Sequence, residues 1–250
     1  MKRSPIKQIV SLSGGKDSTA MLLLMLERGE QVDDIVFFDW GMEFPEMYEH
    51  LEKLEQYTGR TITKLYPKHS YEFYMFDIVK IRGPRVGGHG YGWPHWGRRW
   101  CTGRKLTALQ SYGRGANVCI GITSNEAWRR CRQWTQHITP MWGDEGSDAT
   151  RRFPLVEWNV DDSEIMAYCR ARGFDWGGLY DRRGIRHVSC WCCALQNRPA
   201  LVALRDHHPD LWERLLDMNE RSAYPWPNNS LDKAKAFLDE RARVLEAIHA

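Results

Sequence analysis

Ser13-Gly14-Gly15-Lys16-Asp17-Ser18 lies between two apolar stretches. The first, Ile6–Ser11, reads as a buried strand, and the second, Asp17–Glu27, reads as an apolar helix. A glycine pair between a strand and a helix leaves N–H groups free at the positive end of the helix, where phosphate oxygens are readily held. Gly14 and Gly15 let the main chain approach closely, Lys16 supplies a point charge, and the hydroxyls of Ser13 and Ser18 can donate from either edge. The competing reading is a glycine turn without a ligand. The spacing fits neither G-x-x-x-x-G-K-S/T nor G-x-G-x-x-G.

Outward from this loop, Asp34–Phe38 reads as a second strand and Pro45–Tyr57 as an amphipathic helix opened by acidic Glu46. Thr61–Tyr66 reads as a third strand and Tyr71–Ile81 as a further helix. This β-α-β-α-β order predicts an α/β fold, a parallel twisted sheet with helices on both faces. Gly83–Gly97, rich in glycine, proline, tryptophan and histidine, is expected to be a long loop that is mobile until a ligand orders it. Arg104–Tyr112 reads as helix, Ala116–Ile122 as a core strand and Thr123–Thr150 as an irregular insertion. Asp161-Asp162-Ser163-Glu164 is a helix start by capping and dipole arguments and leads into Ile165–Arg172. Arg198–Arg205, Pro209–Glu220 and Leu231–Ile248 are helical in character. The expected organisation is a nucleotide-binding domain over 1–160 and a helical C-terminal cap over 161–250, packed on the first domain and carrying a cysteine cluster.

The chain of 250 residues suffices for one full core with a small appendage, and 42% hydrophobic against 27% charged residues excludes a disordered or collagen-like polymer. A formal charge of +3 is too small for coating nucleic acid by bulk electrostatics. Arginine is concentrated locally instead, in Arg98-Arg99, Arg104-Lys105, Arg129-Arg130, Arg151-Arg152 and Arg182-Arg183. Such pairs either grip anionic oxygens or remain solvated surface. The apolar run Ala20–Leu26 ends at Glu27-Arg28, far short of the ~20 residues of a bilayer span, and the apolar stretch near the N-terminus is too short for a signal segment. A cytoplasmic protein without membrane association is expected. Seven cysteines in such a chain point to metal ligation, catalysis or burial before disulfides.

Ser13–Ser18 resembles the SGGxDS loop of the PP-loop ATP pyrophosphatases. Phe37-Phe38-Asp39-Trp40-Gly41-Met42-Glu43-Phe44-Pro45-Glu46 resembles the D-T-G-x-E-F-P-E-T segment of that superfamily's phosphoadenosine phosphosulfate reductase branch, with Trp40 in place of threonine. Trp100-Cys101-Thr102-Gly103-Arg104-Lys105 is similar to the branch's cysteine-and-lysine segment. Gly121-Ile122-Thr123-Ser124-Asn125-Glu126 with Arg129 is similar to its G-I-R-x-x-E-S-x-x-R element, Thr123 standing in for arginine. The resemblance runs from about Ile6 to Cys193 and implies an adenine nucleotide alpha hydrolase-like fold. It implies ATP with Mg²⁺ held by Ser11, Ser13, Gly14, Gly15, Lys16, Asp17, Ser18, Asp39, Gly41, Glu43, Gly121 and Arg129, with Lys16 and Asp17 catalytic. Asp39 and Glu43, at the carboxyl edge of the sheet, would accept a ribose or adenine proton or hold magnesium; alternatively Glu43 and Glu46 only favour a helix N-terminus. Asp17 would approach the magnesium or cap its helix.

Cys190-Trp191-Cys192-Cys193 places three thiols in four positions, and Cys190 with Cys193 has C-x-x-C spacing. Cys101, in Arg/Lys surroundings and where the resembling family carries a cysteine, completes the set. A 4Fe–4S cluster on Cys101, Cys190, Cys193 and Cys192 is the leading expectation. Zinc with His187, His207 or His208, and buried thiols without metal, are the alternatives. Cys192 is a catalytic candidate as nucleophile or sulfur relay, or is structural; Cys119, Cys131 and Cys169 read as ordinary residues. The branch's redox cysteine, in a segment like E-C-G-L-H, has no counterpart after Cys193, so reduction by that route is not expected.

The expected function is ATP-dependent adenylylation of an acceptor, followed by iron–sulfur-assisted sulfur transfer from sulfide or a donor protein. Sulfonucleotide reduction is the first alternative, and nucleotide or nucleic-acid binding without turnover the second. Arg98, Arg99, Arg104 and Lys105 would hold a further phosphate or the acceptor, a nucleic acid or a small molecule. Trp93, Trp96 and Trp100 could stack bases or pack in a core. Oligomeric state is open, a homodimer being the candidate.

Overall fold

Four parallel strands, β1 (Lys7–Leu12), β2 (Asp34–Phe38), β3 (Ile62–Leu65) and β4 (Ala116–Ile120), form the centre of the sheet. The computed structural model describes residues 6–81, 86–126, 138–140, 150–188, 190–224 and 226–249. Two short strands, β5 (Ile138–Pro140) and β6 (Thr150–Arg152), extend the sheet to the order β3-β2-β1-β4-β6-β5, with β5 antiparallel to β6. β5 lies within the stretch expected to be irregular and β6 begins at its last residue, Thr150; 127–137 and 141–149 lie outside the described residues.

Parallel neighbours require crossover connections, which are almost always right-handed. α1 (Lys16–Glu27) and α2 (Pro45–Thr58) carry the chain outward through β1, β2 and β3. α3 (Trp100–Tyr112) precedes β4 on the other side of β1, so it covers the opposite face. The alternation of side chains agrees: Ile9, Val36 and Val118 share one face and cluster with Leu109 of α3, while Val10, Leu12, Ile35 and Phe37 are buried toward the other. The strand order therefore reverses between β1 and β4. The crevice beyond the carboxyl ends of two such strands is where open α/β sheets place their ligands.

Two units share the chain, and they are interleaved in sequence rather than divided at residue 160. The first comprises Met1–Asp39, Pro45–Pro67 and Arg104–Gly177. It holds the sheet, α4 (Pro154–Glu157) and α5 (Asp162–Arg170), whose N-cap Asp161 accepts from the Ser163 N–H at 2.8 Å as the capping argument requires. The second comprises Trp40–Phe44, Lys68–Gly103 and Gly178–Ala250. It contains α6 (Arg198–His207), α7 (Pro209–Arg221) and α8 (Ser230–His249) around Leu201, Leu204, Leu215, Met218 and Leu231. The residues after β2 and after β3 enter this unit, which explains why a single break does not separate the two. Among the described residues no helix is long and apolar enough to cross a membrane.

The helix expected over Tyr71–Ile81 is instead a π-helical turn, Phe73–Asp77, closed by the Ile78 N–H on the Phe73 carbonyl at 2.9 Å. An α-helix would have directed the Ile78 and Val79 N–H groups to the carbonyls of Tyr74 and Met75. Those carbonyls accept from Tyr91 and Gly92 instead, at 2.9 and 3.0 Å. Gly90, at φ 61°, lies so close that a Cβ would collide with the Met75 carbonyl. The described part of the glycine-rich stretch is thus hydrogen-bonded to the turn, contrary to the expected loop that waits for a ligand. α3 starts at Trp100, four residues before the expected Arg104, so Cys101 lies in its first turn.

Leu109 is buried among Ile9, Val36 and Val118, and Leu109→Ala should cost about 2–5 kcal/mol. Urea unfolding would check it: the midpoint should fall while the slope is retained.

Candidate functional site

The turn between β1 and α1 is built by two glycines with different tasks. Gly14 adopts φ 77°, in the left-handed region, and a Cβ there would collide with the Met47 sulfur from α2. Gly15 is extended at φ −71°, ψ 167°, and is the N-cap of α1. Its side chain cannot cap the helix, and its carbonyl accepts from the Thr19 N–H at 3.0 Å. Ser18 folds back: its hydroxyl lies 3.1 Å from the Ser13 N–H, 3.0 Å from the Ser13 hydroxyl and 3.1 Å from the Gly15 carbonyl. Gly121, just beyond β4, faces the same helix start, where a Cβ would come within 2.7 Å of the Ser18 Cα. Ser13–Ser18 and Gly121 thus meet at the reversal of strand order, while Ser11 lies within β1, paired with Val36 and Ile120. Arg129 falls outside the described residues.

A buttress behind the loop was not read from the sequence. Trp176 is buried, sits at φ 55° and donates its indole N–H to the Gly14 carbonyl at 2.7 Å. A non-glycine residue in that region carries strain of order 1–3 kcal/mol, which its surroundings must overcome. The His50 ring stacks on the indole at 4.7 Å and shares a 3.0 Å hydrogen bond with the Thr19 hydroxyl. Burial holds the His50 imidazole down at about 4, so it is neutral near pH 7. The only sequence cue was Trp176-Gly177-Gly178, a bulky residue before two glycines.

Lys16 is buried and lies between two carboxylates, 2.8 Å from Asp17 and in direct contact with Asp162 at the start of α5. Burial works to lower its pKa, but the hydrogen bonds to Asp162 and Asp17 outweigh it and the net shift is upward. The ammonium is therefore charged at all ordinary pH. Burial raises the pKa of Asp17 against the opposing pull of Lys16, and the nearby charges of Asp162 and Glu126 add to the rise. Asp162, read from sequence only as part of a helix start, belongs to this constellation. Asp39 is buried at the end of β2, where it accepts from the Tyr48 hydroxyl at 2.9 Å and its N–H donates to Leu65 at 2.8 Å.

The second unit holds the cysteines. Gly41 is exposed at φ 70°, and Glu43 accepts from the Cys190 thiol at 3.5 Å. Cys101, Cys190, Cys192 and Cys193 all lie near enough to the buried Tyr71 to push its pKa up, after burial itself. Burial likewise raises the Cys190 and Cys192 thiols well above their ordinary value and Cys101 above its own. His208 accepts from Arg182 at 2.7 Å and packs on Phe44. Arg98 and Arg99 are exposed, Arg104 and Lys105 half-buried on α3. In the first unit Cys119 and Cys169 are buried thiols, each pushed up to about 12.

Among the described residues, no three His, Cys, Asp or Glu side chains are grouped to hold a metal ion. Magnesium needs only one or two carboxylates when substrate phosphates and water complete its octahedron, and the hard oxygens of Asp17 and Asp162 suit it. Zinc or a 4Fe–4S cluster takes three or four protein ligands, and no such group is found among the described residues.

Two outcomes test the buttress. Trp176→Phe keeps the ring but orphans the Gly14 carbonyl, and should lower stability by about 1–3 kcal/mol. His50 titrates near 6.5 unfolded and about 4 folded, so its contribution is full above pH 6.5 and is lost as pH falls toward 4. That loss amounts to roughly 3 kcal/mol. Urea titrations across this range should show the decline in the parent chain and a flatter profile in His50→Asn.

The family model described as "Phosphoadenosine phosphosulfate reductase domain" matches residues 7–196. An uncharacterized protein of Methanocaldococcus jannaschii is 24% identical over 212 residues, covering 82% of this chain but 40% of that protein. Adenosine 5'-phosphosulfate reductase 2 of Bacillus subtilis is 26% identical over 191 residues, 76% of this chain and 73% of that one. The crystal structure of phosphoadenylyl-sulfate reductase from Candida auris, a phosphate complex, aligns with a TM-score of 0.47 at 19% identity, covering 76% of this chain and 83% of the other. FMN adenylyltransferase of Candida glabrata with FAD and inorganic pyrophosphate aligns at 0.43 and 18% identity, over 76% and 56%. The match of the family model over most of the chain, including the Ser13–Ser18 loop, makes this protein a member of the phosphoadenosine phosphosulfate reductase domain family.

Proposed function

We propose that the chain is an enzyme that binds an adenine nucleotide by its phosphate tail at Ser13–Ser18, and that the nucleotide is ATP. The observation that carries this reading is the lysine-centred loop: open helix N–H groups beside an ammonium held charged by Asp17 and Asp162. Carboxylates so close to a phosphate site would repel a bare anion, which favours a nucleotide that arrives with a divalent cation. Asp17 and Asp162 would hold that magnesium, which would neutralise phosphate charge.

In this reading an acceptor oxygen attacks the α-phosphorus of ATP, the α–β bridging bond breaks, and pyrophosphate leaves toward Lys16 and the loop N–H groups. The positive groups are in place before charge develops on the leaving group, so little reorganisation is needed. Hydrosulfide, free or from a donor protein, then attacks the adenylated carbon, and AMP departs with the original oxygen. Arg104, Lys105 and Arg129 are proposed to hold the acceptor's anionic part. The sulfur step is written without zinc or iron, since no group of three such ligands is found among the described residues. Iron, sulfide and zinc analysis of anaerobically purified protein tests that choice.

A second reading is favoured by the family itself: the same loop would bind a sulfonucleotide, whose reduction yields sulfite. Incubation with ATP and Mg²⁺, and separately with labelled sulfonucleotide and thioredoxin, distinguishes the two. AMP and pyrophosphate support the first; labelled sulfite supports the second and rejects the first. In the productive assay Lys16→Ala should lose at least about 100-fold in turnover, with its circular dichroism unchanged; undiminished turnover would remove the loop from the mechanism.

A further inference from the structure

The sequence carries three tryptophans among glycines and arginines between 93 and 100, and the structure sorts them into two kinds. Trp93 and Trp100 are buried. Trp93 donates to Asn219 at 3.0 Å and meets Trp226 edge-on at 4.7 Å, and Trp100 donates to the Gly92 carbonyl at 3.0 Å. Trp96 is 78% exposed, far more than a large aromatic ring normally is. The Arg99 guanidinium lies 4.2 Å from its ring centre, and that of Arg98 lies 5.1 Å from the Tyr91 ring. Tyr91, Trp93, His95, Trp96 and Arg98, with Tyr224 and Pro227, line an open groove of about 410 Å³ that contains no carboxylate. Lys80 reinforces the positive character: its ammonium reaches the Tyr224 hydroxyl at 2.7 Å and lies 4.4 Å from that ring.

We propose that this groove, centred on Trp96 with Tyr91, His95, Arg98 and Arg99, is a docking surface for single-stranded nucleic acid. An exposed indole beside guanidinium groups offers a base a flat face to stack on and offers the adjoining phosphates a cation. A duplex hides its base faces, so the arrangement selects unpaired strands. The positive, carboxylate-free lining complements a polyanion that carries a phosphate at every step of the strand. The surface also has a fixed frame. His95 and Arg98 exchange backbone hydrogen bonds at 3.2 and 2.8 Å, holding Trp96 and Gly97 at the tip of a tight turn. A ring presented in this way loses little conformational freedom when a base covers it.

The inference is independent of the nucleotide reading, and its test is run with no nucleotide present. Fluorescence anisotropy with labelled twelve-nucleotide oligouridine RNA, oligothymidine DNA and a duplex of equal length should show binding to at least one single strand, weaker binding to the duplex, and loss of affinity with salt. Trp96→Ala, an exposed change whose folding is checked by circular dichroism, should weaken binding about 10-fold or more. Arg98→Ala and Arg99→Ala should each reduce the salt slope by about one. The RNA and DNA arms decide which strand is preferred. Absence of binding at low salt, equal affinity for duplex, or unchanged affinity in Trp96→Ala would overturn the proposal. So would a Trp96→Ala chain whose sedimentation changes while its oligonucleotide binding does not, since the surface would then join copies of the chain.

Discussion

The hydrogen bond from the Trp176 indole to the Gly14 carbonyl is the constraint on which the first unit's chemistry rests. A carbonyl turned inward is what leaves neighbouring N–H groups turned outward, and an inward carbonyl without a partner would be costly. The indole meets that need from 162 residues away, and His50 and Thr19 hold the indole in turn. Met47 closes the space that a side chain at position 14 would occupy. The conformation of the Ser13–Ser18 loop is therefore a tertiary construction, although its six residues are contiguous.

Within the loop one ammonium, that of Lys16, is shared by two carboxylates. Lys16 is paired with Asp17 and Asp162, so its buried ammonium is not left without a counter-charge. In the proposed reading a phosphate entering this arrangement would exchange one set of anionic partners of Lys16 for another, and the displaced carboxylates would suit a cation.

Much of this was legible in the chain. β1, α1, β2 and α2 show as apolar periodicity bounded by glycine, proline and acidic residues, and those signals are local. The loop was legible because glycines have few reasons to stand between a strand and a helix. What escaped was decided by distant partners. The π-helical turn forms because Tyr91 and Gly92 take two carbonyls that an α-helix would use, and nothing within Tyr71–Ile81 announces it. β5 and β6 are too short for periodicity to register. Trp176 and His50 have no motif. Cys190, Cys192 and Cys193 were grouped by spacing and Cys101 by its basic surroundings and the resemblance; all four act on the buried Tyr71, a residue that no motif singled out.

The interleaving of the two units bears on how the chain is made. Trp40–Phe44 is made well before Gly178–Ala250, yet the two belong to one unit. Trp40 can meet Tyr71, Tyr74 and Trp100 while translation is still under way, but Met42 must wait for the Trp191 N–H that its carbonyl receives at 3.0 Å. Until Gly178–Ala250 is made, Trp40, Met42 and Phe44 thus lack part of their final cover, and exposed apolar surface of this kind is what chaperones bind.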